Sequence, residues 1–506
     1  MTTLLILAPI AVPLTAAALY TAFGWRRATA HAGTCAAALI LADGIALAIR
    51  VLEHGPVDVA GGWLRADALA AFMLMGIGTI ALLACAASPA YLHSGHHPEP
   101  AETGGPEPRA VRAHTDRRYG ALVQLFLAAM ATAVLAGNLG LAWIAIEATT
   151  IVTAFLVGHT GTRQALEAAW KYTVICSTGI ALALLGIVVL YDAARHTGLT
   201  ETDALNYQAL TAHAHALDPA VTRMGVAFIL LGFGAKAGLA PLHAWLPDAH
   251  SQAPAPVSAL MSGVLLPVAL TQILRVKTIA DDALGTGYVR ALLMIMGLAT
   301  LALAAALLIA QRDYKRMLAY SSMEHMGLIA IGAAIGTPLA LAAILLHIAG
   351  HGLAKAVAFT TSGHILHAEH TTRIEGVKAL ASRQPVLAGI FAAALLALLG
   401  FPPFSLFASE LALARAGFAA NLGYPTAAAL GLILIAFAAL AAHGARMLLG
   451  AAPTGDRVPP GPDAPALSLP ARIPLITALI TVAVLGITAW PISNLLAAAA
   501  QIGSRR

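Results

Sequence analysis

This sequence predicts an all-α, polytopic membrane protein of about fourteen transmembrane helices, on three observations. Of 506 residues, 59% are hydrophobic and only 10% charged, with a mean hydropathy of +0.80, whereas about a quarter of the residues in a soluble domain are charged. The apolar residues fall into successive runs of the roughly 20 residues needed to cross about 30 Å of hydrocarbon. A small set of ionisable residues lies inside those runs rather than between them.

The first run, "LLILAPIAVPLTAAALYTAF", is too long for a signal h-region and lacks a charged n-region, so it reads as a retained span over 3–23. Spans follow over 34–52 and 66–88, closed by the polar, Pro/Gly-rich stretch "HSGHHPEPAETGGPEPRAVRAHTDRR", which reads as an exposed loop. The next five cover 119–137, 139–159, 169–191, 221–245 and 254–275, and five more cover 286–310, 316–336, 338–367, 384–412 and 424–449. A second polar stretch, "PTGDRVPPGPDAPALSLP", precedes the last span over 471–498.

Two of these spans carry helix breakers at membrane depth. The seventh has Gly232, Gly234, Gly238 and Pro241 around Lys236; the twelfth has Pro402 and Pro403 ahead of Glu410. Such breaks are tolerated where the freed backbone lines a hydrated or protein-filled cavity, and paired broken helices five spans apart mark an inverted-repeat transporter. The expected organisation is an N-terminal unit with three helices and the polar loop (1–118), a first inverted repeat of helices four to eight (119–275), a second of helices nine to thirteen (286–449), and a polar loop with helix fourteen (450–506).

The formal charge of +5 is explained by scattered arginines at helix ends, and no basic tract for nucleic acid is present. Alternate loops carry Arg26 and Arg27; Arg109, Arg112, Arg117 and Arg118; Arg312, Lys315 and Arg316; and Arg373, Lys378 and Arg383. That basic side is expected to be cytoplasmic, with both termini outside the inner (plasma) membrane. Cys35, Cys85 and Cys176 lie apart, without a CxxC pair, and are expected to be small buried residues. No dinucleotide fingerprint opens a strand-helix unit, so no cofactor and no metal is expected here.

An ionisable group inside a span costs a few kcal/mol or more on insertion, so it defaults to a functional hypothesis. Glu147, Lys171, Lys236, His347, His351, Lys355 and Glu410 form such a set. His347, His351 and Lys355 recur every fourth residue, drift by only about 40° per step, and so form one stripe suited to holding a line of protons or waters. The alternative is that each histidine merely bonds a neighbouring carbonyl. Asp43, alone on its helix, is expected to find a hydrogen bond or an ion pair on a neighbouring span. An ammonium in a dry site gives up its proton readily, whereas a nearby carboxylate holds it on. Glu147 is the expected carboxylate, and its movement away from Lys236 or toward Lys171 would make Lys236 a switchable proton site. His243 and His250 are candidate inlets to Lys236, against a reading of His250 and Asp248 as turn geometry. Glu410 is the expected terminal site, mirroring Lys236 in the second repeat.

At these residues the chain resembles the antiporter-like subunits of respiratory complex I, the Mrp cation/proton antiporters and the group 4 membrane-bound hydrogenases. The stretches that carry the resemblance are "HAWLPDAHSQAPAPVSAL", "RDYKRMLAYSSMEHMG" and "HIAGHGLAKAVAFTTSGHIL". It implies a proton-translocating fold of fourteen helices with a Glu on the fifth, a Lys on the seventh, central His/Lys residues and a Lys or Glu on the broken twelfth; Glu147, Lys236, His347, His351, Lys355 and Glu410 match. Within the family, "SSMEHMG" and the H-x3-H-x3-K spacing are most similar to component F of hydrogenase-4 type complexes. The eighth span departs from complex I subunits, offering Ser262 and Pro267 in place of a Lys or His.

The resemblance implies a proton-channel subunit whose partners are other membrane subunits and a peripheral redox arm, embedded in the lipid bilayer and moving protons as electrons pass elsewhere. Two alternatives stay open: an Mrp-type module exchanging Na⁺ for H⁺, and the membrane partner of an inorganic-carbon accumulation system.

Overall fold

The computed structural model describes residues 2–26, 29–93, 109–451 and 467–502. Residues 94–108 and 452–466, which hold most of the two stretches read as exposed loops, lie outside the described residues, as does Arg27. The chain runs α1 (Thr2–Phe23), α2 (Ala32–His54), a short antiparallel hairpin of β1 (Val57–Val59) and β2 (Leu64–Ala66), α3 (Ala68–His93), α4 (Arg109–Leu135), α5 (Leu139–Val157), α6 (Arg163–Arg195), α7 (Tyr207–Ala212), α8 (Pro219–Lys236), α9 (Trp245–Gln252), α10 (Ala255–Leu260) and α11 (Leu266–Leu284). It continues with α12 (Thr286–Ile309), α13 (Tyr314–Ile335), α14 (Pro338–Glu369), α15 (Leu380–Arg383), α16 (Pro385–Leu398), α17 (Ser405–Ala419), α18 (Gly423–Leu449), α19 (Leu469–Ile487) and α20 (Ser493–Gln501). Twelve of the described helices are long and apolar enough to cross a membrane.

Helix starts follow capping chemistry. Asn138 accepts from the Leu141 amide at 2.8 Å, Asp313 from that of Arg316 at 2.8 Å, and Asp218, ahead of Pro219, from those of Ala220 and Val221 at 2.9 Å. Each satisfies a backbone donor left free in the first turn. Helix α4 begins at Arg109 rather than at 119. The eighth predicted span is α10 and α11 joined by a π turn over Met261–Leu265. Pro267 has no N–H to offer the Gly263 carbonyl one turn back, and the widened turn absorbs that missing bond. The last span is not continuous: α19 stops at Ile487, and Trp490–Ile492, with Pro491 inside it, turns the chain into α20.

Both predicted breaks are present, and they are built alike. At the end of α8 the amides of Ala237, Gly238 and Leu239 donate to the carbonyls of Phe233, Ala235 and Gly234, and Gly238 has φ +77°. At the end of α16 the amides of Leu399, Gly400 and Phe401 donate to Leu395, Ala397 and Leu396, and Gly400 has φ +65°. Only glycine adopts that left-handed cap without strain. This register equates Gly238 with Gly400 and Pro241 with Pro403, which corrects one expectation. Lys236 has Leu398 as its counterpart; Glu410, seven residues past Pro403, is the counterpart of Asp248.

Helices α6 and α8 cross with backbones touching: a Cβ on Gly186 would lie 2.4 Å from the Gly225 carbonyl oxygen. Helices α12 and α13 do the same at Gly297 and Gly327, where each added Cβ would meet the other glycine's carbonyl within 3 Å. Small residues permit such seams where no aqueous hydrophobic effect drives helices together. At the centre, every residue of α13 except Arg316 is buried, and α14 runs beside it, packed against α3, α10, α16, α17, α19 and α20. Helices α18 and α19 present apolar side chains such as Leu434 and Ile480 outward. Cys85 and Cys176 are buried, but Cys35, expected to be, is exposed on α2.

Candidate functional site

Lys236 is the last residue of α8 and has no exposed surface. A helix C-terminus presents unpaired carbonyls and partial negative charge, a place where a cation is favoured. Its Nζ donates to Thr150 Oγ1 at 2.9 Å and to Tyr172 Oη at 2.5 Å, and lies 4.8 Å from the centre of the Tyr172 ring. The expected carboxylate contact is not made. Glu147 accepts instead from Ser177 Oγ at 3.0 Å on one oxygen, while its buried Oε2 has no partner. Glu147 and Thr150 are three apart on one face of α5, so the carboxylate sits about one helical turn from the hydroxyl that holds the lysine.

Lys171 does not face Glu147 either. It pairs with Glu167 at 2.6 Å and with Asp248 at 3.2 Å, and its side chain is 41% exposed, which places it at the rim and not in the buried set. Asp248, read from sequence as turn geometry, joins Lys171 of α6 to Arg316 of α13, the latter at 2.6 Å. His243 lies half-buried in the break, with Nδ1 unpartnered. His250 is fully buried; its Nδ1 donates to the Leu246 carbonyl at 2.9 Å, and its Nε2, the acceptor of the neutral ring, has no partner. Asp43 likewise lacks its expected partner on the buried Oδ2.

The stripe on α14 is buried throughout. Lys355 donates to the Leu318 carbonyl at 2.6 Å and to Ser321 Oγ, both on α13. Glu324 follows Ser321 by three residues and is also buried. The rings of His347 and His351 are nearly parallel with centroids 6.5 Å apart, and that of His325 lies 5.1 Å from the first and 4.9 Å from the second. His325 Nδ1 is 3.1 Å from His347 Nε2, and His347 Nδ1 is 2.9 Å from Ser409 Oγ. Ser409 gives its only proton to the Leu406 carbonyl at 2.8 Å. With both rings neutral, His347 therefore donates from Nδ1 and accepts at Nε2, and His325 donates from Nδ1, which leaves its buried Nε2 as a bare acceptor. Both nitrogens of His351 are buried and unpartnered. One donor atom each from His325, His347 and Glu410 lies within 4.8 Å of the others.

The structure thus gathers Lys236, His250, Lys355, His351, His347 and Glu410, from α8, α9, α14 and α17, beside Glu324 and His325 of α13, and sets Lys171 and Asp43 apart. Sequence reasoning did not single out Glu324 and His325, although two adjacent ionisable residues inside "SSMEHMGLIAIGAAI" are the same signal that picked out α14. It also passed over Thr150, Tyr172 and Ser409, which carry no charge, and two buried ion pairs, Asp67 with Arg275 and Lys277 with Asp281.

The NADH:quinone oxidoreductase/Mrp antiporter transmembrane family model matches residues 136–442. The chain is 41% identical over 320 residues to the hydrogenase-4 component F homolog of Methylacidiphilum infernorum, covering 63% of this chain and 67% of that one. It is 33% identical over 300 residues to NADH-quinone oxidoreductase subunit N of Desulforudis audaxviator, covering 58% of each. It spans between about half and two thirds of the length of the curated relatives it matches. Among solved structures, a chain of the membrane-bound sulfane sulfur reductase, an archaeal respiratory membrane complex, superposes with a TM-score of 0.83 at 25% identity over 99% of this chain and 97% of that one. A chain of the Mrp complex from Dietzia sp. superposes with a TM-score of 0.83 at 22% identity, over 98% and 97%. With the match reaching from the start of α5 into α18 and holding the whole buried polar line, this multi-pass chain is an antiporter-like membrane subunit and belongs to the NADH:quinone oxidoreductase/Mrp antiporter family.

Proposed function

We propose that the chain carries protons across the inner membrane along this line, as the membrane subunit of a larger complex whose peripheral redox arm supplies the energy. The observation that supports it best is the directed chain His325 to His347 to Ser409, in which every donor and acceptor is assigned and one end is a bare nitrogen. A proton placed on His325 Nε2 allows its Nδ1 proton to pass to His347 Nε2; as His347 Nδ1 then gives its proton to Ser409 Oγ, that hydroxyl turns its own proton away from the Leu406 carbonyl and passes it to the Glu410 carboxylate. Lys236 and Lys355 are held by hydroxyls and carbonyls rather than by carboxylates. Their charge is therefore not locked in an ion pair, and a change in the field around them releases or recaptures a proton. Carrying one charge against 100 mV costs about 2.3 kcal/mol, so such a site works only when its proton affinity alternates.

In this reading the two interrupted pairs, α8 with α9 and α16 with α17, complete fourteen spans. The matched caps support two inverted repeats over 119–275 and 286–449. The basic loops lie in the cytoplasm and both termini outside; the backbone bridge between Asp313 and Arg373 supports grouping two of those loops on one side. The test is proton uptake into vesicles holding the intact complex, driven by its electron donor in Na⁺-free buffer. Uptake should proceed there. Uptake that requires Na⁺ would replace this reading by Na⁺/H⁺ exchange.

A further inference from the structure

The geometry points to a metal site: His325, His347 and Glu410 form a site for a divalent transition cation of the Zn²⁺ class at the break before α17. The three residues come from three helices, α13, α14 and α17, and offer two imidazole nitrogens and a carboxylate within 4.8 Å of one another. That is the ligand set such ions prefer, with a further position left for water. At the usual Zn–N length of about 2.0–2.1 Å, two nitrogens 3.1 Å apart subtend about 100° at a shared ion, close to tetrahedral.

The surroundings suit the role as well. Ser409 accepts from His347 Nδ1 at 2.9 Å and so presents the Nε2 lone pair to the site, the outer hydrogen bond that orients most metal-bound histidines. His325 becomes a ligand by moving its proton from Nδ1 to Nε2, which is buried with no partner, so no proton need leave. The Glu410 carboxylate supplies negative charge, and Glu324 adds a second buried carboxyl beside His325 on α13. The facing cation is Lys355, two helical turns from His347 and therefore about 12 Å away along α14. Glu410 is only half-buried, and the exposed stretch from Phe401 to Pro403 precedes it, so the site has an approach from the break.

Occupation would hold the lone pairs that the proton chain uses, and Zn²⁺ would then block transport; this consequence rests on the proposed function, whereas the site does not. The experiment uses the full chain in its complex, with a tag free of histidine and with His96→Ala and His97→Ala in every sample, because the protein has 19 histidines. Equilibrium dialysis against ZnCl₂ should give one Zn²⁺ per chain. Glu410→Gln and His347→Gln should each weaken it more than tenfold, and Ser409→Ala, which keeps all three ligands, by about tenfold. X-ray absorption should show nitrogen and oxygen neighbours only. Absent binding, or binding unchanged in both ligand variants, overturns the site. If Zn²⁺ binds as described yet proton uptake continues undiminished, the site stands and the proton route through these histidines falls. If Glu410→Gln stops uptake but no Zn²⁺ binds, the route stands and the site falls.

Discussion

Asp248 Oδ1 lies 2.6 Å from Arg316 Nη1, while its other oxygen faces Lys171 at 3.2 Å, so one carboxylate holds α6, α9 and α13 together at the membrane rim. Both cations are about 40% exposed, and ion pairs with that much solvent contribute at most about 1 kcal/mol. Asp248→Asn should therefore lower the melting temperature little. Proton uptake should fall several-fold, because α9 carries His250 and begins where the break at Lys236 ends. Uptake at the wild-type rate would reduce Asp248 to a rim contact.

Lys236→Met preserves length and volume but cannot carry a proton. It leaves the Tyr172 and Thr150 hydroxyls short of a partner, at about 1–3 kcal/mol each, offset by the desolvation an ammonium no longer suffers. Stability should change by a few degrees at most, and donor-driven uptake in vesicles should drop at least tenfold. A Lys236→Met complex that pumps normally takes this residue out of the mechanism.

Glu410→Gln keeps the shape of the outlet and removes its titration. Uptake should fall sharply with assembly intact, and His351→Ala added to it should cost little more, since both interrupt one route. The measurement is the four-way comparison of uptake rates. Additive losses would mean two parallel routes.

Asp67 and Arg275 form a buried, two-bond pair at 2.7 and 3.1 Å between the start of α3 and α11. Arg275→Met alone leaves the buried carboxylate only the Arg65 guanidinium, 3.9 Å away, as a countercharge and should destabilise by up to about 3–5 kcal/mol. Asp67→Asn combined with it should recover most of that loss in a thermal melt. The Arg275 guanidinium also lies 5.5 Å from the centre of the Tyr207 ring, and no recovery would show that this stacking, not its pairing with Asp67, matters there.

Much of this was readable in the residues because the bilayer penalises what it does not need. Lys236, His347, His351, Lys355 and Glu410 stood out because each is costly in hydrocarbon, and the breaks because glycine and proline have few other reasons to cluster at that depth. Partners were not readable. Glu147 is two spans before Lys236 in sequence order and bonds Ser177 on the intervening α6, because that choice depends on the rotation of α5 against α6, fixed by packing and not by any single residue. The supposed symmetry of Lys236 and Glu410 failed for a related reason. Their spans are both broken, but only the hydrogen bonds of the two caps fix the register, and these put the residues on opposite sides of their breaks. Tyr172, Thr150 and Ser409 gave no signal, since hydroxyls cost little in a span until something charged leans on them.

The glycine seams carry a mechanical consequence. Where Gly186 meets Gly225 and Gly297 meets Gly327 backbone lies directly on backbone, flanked by the β-branched Val189, Ile229 and Ile331, which have little rotamer freedom, so each helix pair behaves as one stiff spar. Compliance is left to the two interruptions, 237–244 and 399–404. A clamp bridging a single spar should leave turnover untouched, whereas a strut across either interruption should stall it.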